Sequence, residues 1–179
     1  QALPEDWTVT ATGDQESPTI ISGAGTTQGT ANFQTGTYTL SESGGPTGYT
    51  PDATWSCVVN NGPVLGNSVT LGLADVAICS ITNDDQPGTL VIQKTVINDN
   101  GGTNTANDFF FHVNGGQATA FNETADDDDN SLTGENTVTV AAGTYTVTED
   151  QANGYGITLG AGCSGTIANG ETKTCAITN

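Results

Sequence analysis

"CSITN" at 79–83 and "CAITN" at 175–179 are nearly the same phrase written twice, and the segments ahead of them agree as well. "TGTYTLSESGGPTGYT" (35–50) matches "AGTYTVTEDQANGYGI" (142–157) with one residue of slack. Cys57 then answers Cys163, and "EDWTVTATG" (5–13) answers "NDFFFHVNG" (107–115). Self-similarity over about 90 residues marks a repeated structural unit. The chain is therefore confined to folds that close within one such length. We expect repeat units at 1–86 and 87–179, joined by "NDDQPG" (83–88), whose Pro and Gly suit a short linker.

Each unit reads as β structure. Thr, Val and Tyr occur in short runs between Gly, Asn and Asp clusters, and long Ala/Leu/Glu/Lys helix patterns are absent. The expected fold is all-β: two tandem β-sandwich domains, which the family resemblance described below makes immunoglobulin-like. The first is expected to lack its own first strand, because "GTLVIQKTVINDNGG" (88–102) has no counterpart ahead of "EDW". Taking that strand as an edge strand, its loss would expose unpaired backbone and core side chains. Three ways of filling the gap stay open: a neighbouring subunit's strand, a stretch of the natural protein outside these residues, or a fold that tolerates the loss.

Charge narrows the partners. Asp and Glu number 20 against 2 Lys plus Arg, for a formal net charge of -18. Nucleic acid is excluded as a partner, since neutralising phosphates takes a basic face. Docking on anionic lipid is disfavoured for the same reason. No apolar run is long enough to span a membrane, and no leader is visible, which fits a mature secreted chain beginning at Gln1.

Strand parity singles out three residues. Along "LVIQKTV", Leu90, Ile92, Lys94 and Val96 share one face. Along "TYTVTED", Tyr145, Val147 and Glu149 share a face, and along "CAITN", Cys175, Ile177 and Asn179 do. Lys94, Glu149 and Asn179 thus lie on core-facing sides, where Lys and Glu are costly unless paired. One reading is a half-solvated strand-end ion pair with an Asn cap. The other is a Lys–Asn isopeptide bond. An apolar site favours the neutral Lys94 amine as nucleophile, and a protonated Glu149 can hydrogen-bond the Asn179 amide and shuttle protons.

Lys94, "YTVTE" ending at Glu149, "GY" at 154–155 and Asn179 stand in an order that resembles the prealbumin-like, CnaB/SpaA-type repeats of microbial surface proteins and pilins. The resemblance covers nearly all of 88–179 and, without its first strand, 5–83. It implies a reverse-immunoglobulin sandwich in which Lys94 of the first strand bonds Asn179 of the last, assisted by Glu149. Domain 1 departs from the pattern. Glu42 and Asn83 occupy the matching places, but no lysine precedes residue 94, so this unit has a degenerate counterpart of the site. A neighbour's lysine-bearing strand would make an intermolecular bond there. A variant exchanges 89–98 between subunits, bringing Lys94 to Glu42 and Asn83. Lys173, beside a turn, reads as a solvated strand-edge lysine.

The four cysteines fall two per repeat at equivalent places, which favours disulfides Cys57–Cys79 and Cys163–Cys175 and an extracellular setting. Zinc competes weakly: there is no C-x-x-C, and the single His112 sits in an aromatic run. "NDD" (83–85), "NDNGG" (98–102) and "TADDDDN" (124–130) are turn-forming chemistry first. If calcium binds, Asp84, Asp85 and Asp99 are the candidates; otherwise no cofactor is expected. Trp7, Trp55, Phe109, Phe110, Phe111, Tyr38 and Tyr145 are candidate core, and aromatics on both faces of 109–111 suggest that one face meets another domain or subunit. "NET" (122–124) is a glycosylation sequon.

No nucleophilic triad, phosphate loop or metal triad is present, so an enzyme is the weakest reading. The leading one is an extracellular, cell-surface structural protein: a subunit or segment of a pilus-like filament or stalk that associates with its neighbours, with donor-strand completion of domain 1 as one route. The alternative is a surface adhesin or ligand-binding module using loops at the sandwich tips.

Overall fold

Short Thr- and Val-rich runs bounded by Gly, Asn and Pro form strands in both halves of the chain, and among the described residues the helices are single 3-10 turns. The computed structural model describes residues 2–14, 19–30, 33–125 and 130–179. It separates into two units, Gln1–Asp85 and Gln86–Asn179.

Domain 1 contains β1 (Trp7–Gly13), β2 (Ile20–Ala24), β3 (Gly36–Gly44), β4 (Tyr49–Pro51), β5 (Trp55–Val59), β6 (Gly62–Gly66), β7 (Ser68–Leu71), β8 (Ala77–Ser80) and β9 (Asn83–Asp85). One sheet runs β2-β1-β3-β7, a second runs β6-β5-β8, and β4 pairs with β9. The tight β5–β6 hairpin is set by Asn60 and Asn61, both at positive φ (47° and 69°), as a primed turn demands. Alternation along the strands buries Ala11, Tyr38, Leu40, Trp55, Cys57 and Val69 as the core.

Domain 2 contains β10 (Gly88–Thr95), β11 (Phe110–Val113), β12 (Thr119–Ala120), β13 (Thr133–Val140), β14 (Gly143–Glu149), β15 (Thr158–Leu159), β16 (Ser164–Ile167) and β17 (Thr172–Thr178). Two four-stranded sheets, β13-β10-β17-β15 and β12-β11-β14-β16, enclose a core that includes Leu90, Ile92, Phe109, Phe111, Phe121, Tyr145 and Ile177. Trp7 in domain 1 is only half-buried, and Phe110 is 43% exposed because period two turns it away from Phe109 and Phe111.

The first strand of the repeat is not an edge strand, contrary to the sequence expectation. β10 lies inside its sheet, antiparallel to β13 and parallel to β17. The parallel pairing is available because the rest of the domain serves as the crossover between the two strands. Both ladders of β10 are thereby satisfied, while Leu90, Ile92 and Lys94 point into the core.

Domain 1 has no counterpart of β10 among the described residues. Nor is there a strand among the described residues between β2 and β3, where β13 would fall. The consequence is visible on the last strand. Cys175 and Ile177 are 0% and 1% exposed under β10, whereas the matching Cys79 and Ile81 are only half-buried. An open cleft of about 950 Å³ lies beside β8 in domain 1, walled by residues 25–30 and 75–83.

Candidate isopeptide site and its counterpart

Period-two alternation brings Lys94 to the interior at the far end of β10. Its ladder partners are Gly134 on β13 and Ile177 on β17. Gly134 is required by closeness: a Cβ there would lie 2.9 Å from the Asn122 carbonyl oxygen and 3.0 Å from the Ala106 Cβ. The aliphatic stem of Lys94 is fully enclosed, and its Nζ sits 3.9 Å from the centre of the Phe109 ring and 5.2 Å from that of Phe121. Tyr155 of the "GY" pair stands edge-on to Phe109 at 5.1 Å. Its hydroxyl donates to Asn98 Oδ1 at 2.7 Å and accepts from the Asn104 N–H at 3.0 Å, so the loop after β10 is tied over the site.

Two polar groups meet Lys94 in this apolar setting. Its Nζ donates to Glu149 Oε2, from the end of β14, and to Asn179 Oδ1, just beyond β17. The side chains of Lys94 and Glu149 are both sealed from solvent. Asn179 is fixed by its backbone: its N–H donates to the Thr95 carbonyl at 3.1 Å, and its own carbonyl accepts from the Ile97 N–H at 2.7 Å. The second carboxylate oxygen, Glu149 Oε1, and the amide nitrogen, Asn179 Nδ2, are both buried without a hydrogen-bond partner. Burial holds the Lys94 amine below its ordinary pKa, against the opposing hydrogen bond and charge of Glu149.

This arrangement has the parts of an amide exchange. The carboxylate can take the ammonium proton, leaving a neutral amine beside the side-chain carbonyl of Asn179. Residues from β10, from β14 and from just beyond β17 converge here, with a sequence separation of 85 between Lys94 and Asn179.

Domain 1 repeats the frame without the amine. Asn83 Nδ2 donates to Glu42 Oε1 at 3.0 Å, while Asn83 Oδ1 is buried without a partner. Trp7 and Tyr49 meet edge-on at 5.3 Å, as Phe109 and Tyr155 do. Both residues, with Glu42 and Asn83, line the cleft.

The remaining sites are placed as follows. Cys57 is bridged to Cys79 across β5 and β8, and Cys163, in the 3-10 turn just before β16, to Cys175 in β17; no described cysteine is free. His112 contacts the Gly116 carbonyl and Asp150 rather than sulfur. Lys173 pairs with Glu171 at 3.4 Å near the surface. Asp84 and Asp85 are paired through β9 with Thr50 and Tyr49, and Asp99 accepts from Asn100 Nδ2 at 2.7 Å. Among the described residues no three His, Cys, Asp or Glu side chains converge to hold a cation. The acidic run at 126–129 lies outside the described residues. Parity and the repeat pointed to the trio and to its degenerate copy; the aromatic cover from Phe121 was not signalled, because it comes from the loop after a two-residue strand.

The profile of one family, described as a prealbumin-like fold domain of SpaA type, matches residues 1–81 and again 85–178. No curated protein matches the chain. Among solved structures, the major pilin of Streptococcus pyogenes is 17% identical with a TM-score of 0.33, over 97% of this chain and 90% of that one. The T-13 major pilin of the same species is 18% identical with a TM-score of 0.29, over 96% and 87%. The Bacillus anthracis TIE protein is 13% identical with a TM-score of 0.32, over 97% of this chain and 48% of that one. The profile matches nearly the whole chain in two consecutive copies, and the chain belongs to the SpaA-type prealbumin-like fold family as a tandem pair of its domains.

Proposed function

We propose that the chain is a structural segment of an extracellular surface filament or stalk, in which domain 2 locks itself with a Lys94–Asn179 isopeptide bond. The observation that carries this reading is the enclosed contact of Lys94 with both Glu149 and Asn179. In the reaction, Glu149 takes a proton from the Lys94 ammonium, and the neutral amine attacks Asn179 Cγ. A new C–N bond forms, the bond from Cγ to Nδ2 breaks, and Glu149 passes a proton to the departing nitrogen. One ammonia leaves for each bond made, and nothing is oxidised or reduced.

The geometry suits a load-bearing part. β10 and β17 are parallel neighbours, and the bond joins them at the Lys94 end. A pull applied between Gly88 and Asn179 would run along 88–94 and through the bond, bypassing the residues from 95 to 178. The two disulfides add closure within each domain. Self-association through the open cleft of domain 1 accords with a fibre. The pilin likeness is to proteins so named, and this chain's assembly is our inference.

The test is tandem mass spectrometry of an unreduced digest, read for a branched peptide joining Lys94 to Asn179. Finding it supports the self-locking structural reading. A free Lys94 side chain and an intact Asn179 amide would overturn it. Intact mass alone does not decide, since cyclisation of Gln1 also releases ammonia.

A further inference from the structure

The cleft of domain 1 is open and apolar along its length, with a Glu–Asn pair at one end. Val9, Leu40, Trp55 and Ile81 line its apolar length, and Glu42 and Asn83 stand together at one end. In domain 2 the equivalent space is filled by β10, whose Leu90 and Ile92 are fully buried and whose Lys94 meets the Glu–Asn pair. The match is residue by residue: Glu42 answers Glu149, Asn83 answers Asn179, and the Trp7–Tyr49 pair answers Phe109–Tyr155. Asn83 Oδ1, buried and without a partner, is the repeat counterpart of Asn179 Oδ1, which accepts from Lys94. A buried amide oxygen left unpaired is costly, and a donor in the seat would satisfy it.

We propose that domain 1 is a covalent acceptor for an incoming lysine-bearing β-strand. The proposal rests on reading Lys94, Glu149 and Asn179 as a bond-forming trio. The occupant is an extended segment of β10 chemistry, with apolar residues at alternate positions followed two residues later by lysine, contributed by a neighbouring polypeptide. It enters parallel to Ala77–Ser80, as β10 lies parallel to β17. Neither lysine of residues 1–179 fills this role: Lys94 is enclosed in domain 2, and Lys173 lies in β17. Once the strand is seated, Glu42 takes the proton of its ammonium. The amine attacks Asn83 Cγ, the bond to Nδ2 breaks, and ammonia leaves with a proton returned by Glu42. The product is an isopeptide cross-link between two polypeptides.

The probe is a synthetic peptide of residues 88–98, GTLVIQKTVIN, added to the intact 179-residue protein. The expected product is a one-to-one adduct lighter than the sum of its parts by one ammonia, with the branch mapped to Asn83. Asn83→Ala and Glu42→Gln should each abolish the adduct, as should norleucine in place of the peptide's lysine. The norleucine peptide should still compete with the lysine peptide and slow its capture, a readout that needs only a folded seat. Absence of any adduct, or an adduct that survives Asn83→Ala, overturns the proposal. Capture only when the same segment is fused ahead of Gln1 overturns the neighbouring-polypeptide source. The same digests report the Lys94–Asn179 branch. If that branch is present and the Asn83 adduct absent, this inference alone fails; if both are absent, the trio reading fails with it.

Discussion

At the scale of single residues, Glu149 and Asn179 do separable things to Lys94. Asn179→Ala removes the electrophile but leaves the buried ion pair. Without the proposed cross-link, the unfolded chain regains the entropy of an 85-residue loop, about 4–5 kcal/mol on a chain-entropy account. Glu149→Gln removes the proton shuttle and also leaves an ammonium enclosed without its counter-charge, a defect of about 3–5 kcal/mol. Neither variant should show the branched peptide, and both should unfold at lower denaturant, with Glu149→Gln the lower of the two. A branch that persists in Glu149→Gln would remove the carboxylate from the chemistry. Lys94 also sets a pH dependence. Burial holds its folded pKa below the ordinary 10.5. Between the two values the unfolded chain binds the extra proton, so stability rises with pH through that window and is flat in this respect below it. Asn179→Ala, which keeps the amine free, should therefore gain stability as pH climbs toward 10.5. Asn179→Ala/Lys94→Met should lack that gain, which urea midpoints taken across the window would show.

At the scale of elements, β10 explains most of the difference between the two halves. Its inward residues seal β17, so Cys163 and Cys175 are 3% and 0% exposed, while Cys79 beside the empty seat is half-buried. A thiol reductant reaches sulfur only where sulfur is accessible. Graded reduction with alkylation should accordingly label Cys57 and Cys79 before Cys163 and Cys175; the opposite order would mean that the seat of domain 1 is closed in solution. Ile92→Ala, which hollows the middle of β10, should cost about 2–5 kcal/mol in domain 2 and leave domain 1 unchanged. Much of this was legible in the sequence, and for identifiable reasons. The alternation Leu90-x-Ile92-x-Lys94 declared an inward lysine, and the recurrence of Glu42 and Asn83 declared its empty copy. The interior position of β10 was not legible, since period two reports which face a residue takes and nothing about which strands flank it. The Asn122–Asn136 contact, in which Asn136 Oδ1 accepts from the Asn122 N–H at 2.9 Å, was equally hidden, because it joins a loop to a strand 14 residues on.

At the scale of the whole molecule, two domains of one family differ in how completely they are closed. Domain 2 has β10 in place, a disulfide and the buried Lys94–Glu149–Asn179 contact; domain 1 has a disulfide and an open cleft. A domain that leaves apolar core side chains facing water forgoes part of the burial that opposes chain entropy. Nothing compensates in charge, because the molecule carries a formal net charge of -18 and like charges repel throughout. Unfolding should therefore occur in two steps, with domain 1 first and domain 2 well above it. Added salt should raise the first midpoint by screening that repulsion. Seating the GTLVIQKTVIN peptide should raise the first midpoint much further and leave the second where it was, because binding to the folded state alone shifts only the domain that binds. Differential scanning calorimetry with and without peptide separates the two effects. If both midpoints move together, the domains unfold as one unit, and a weaker stability of domain 1 cannot be ascribed to its open cleft.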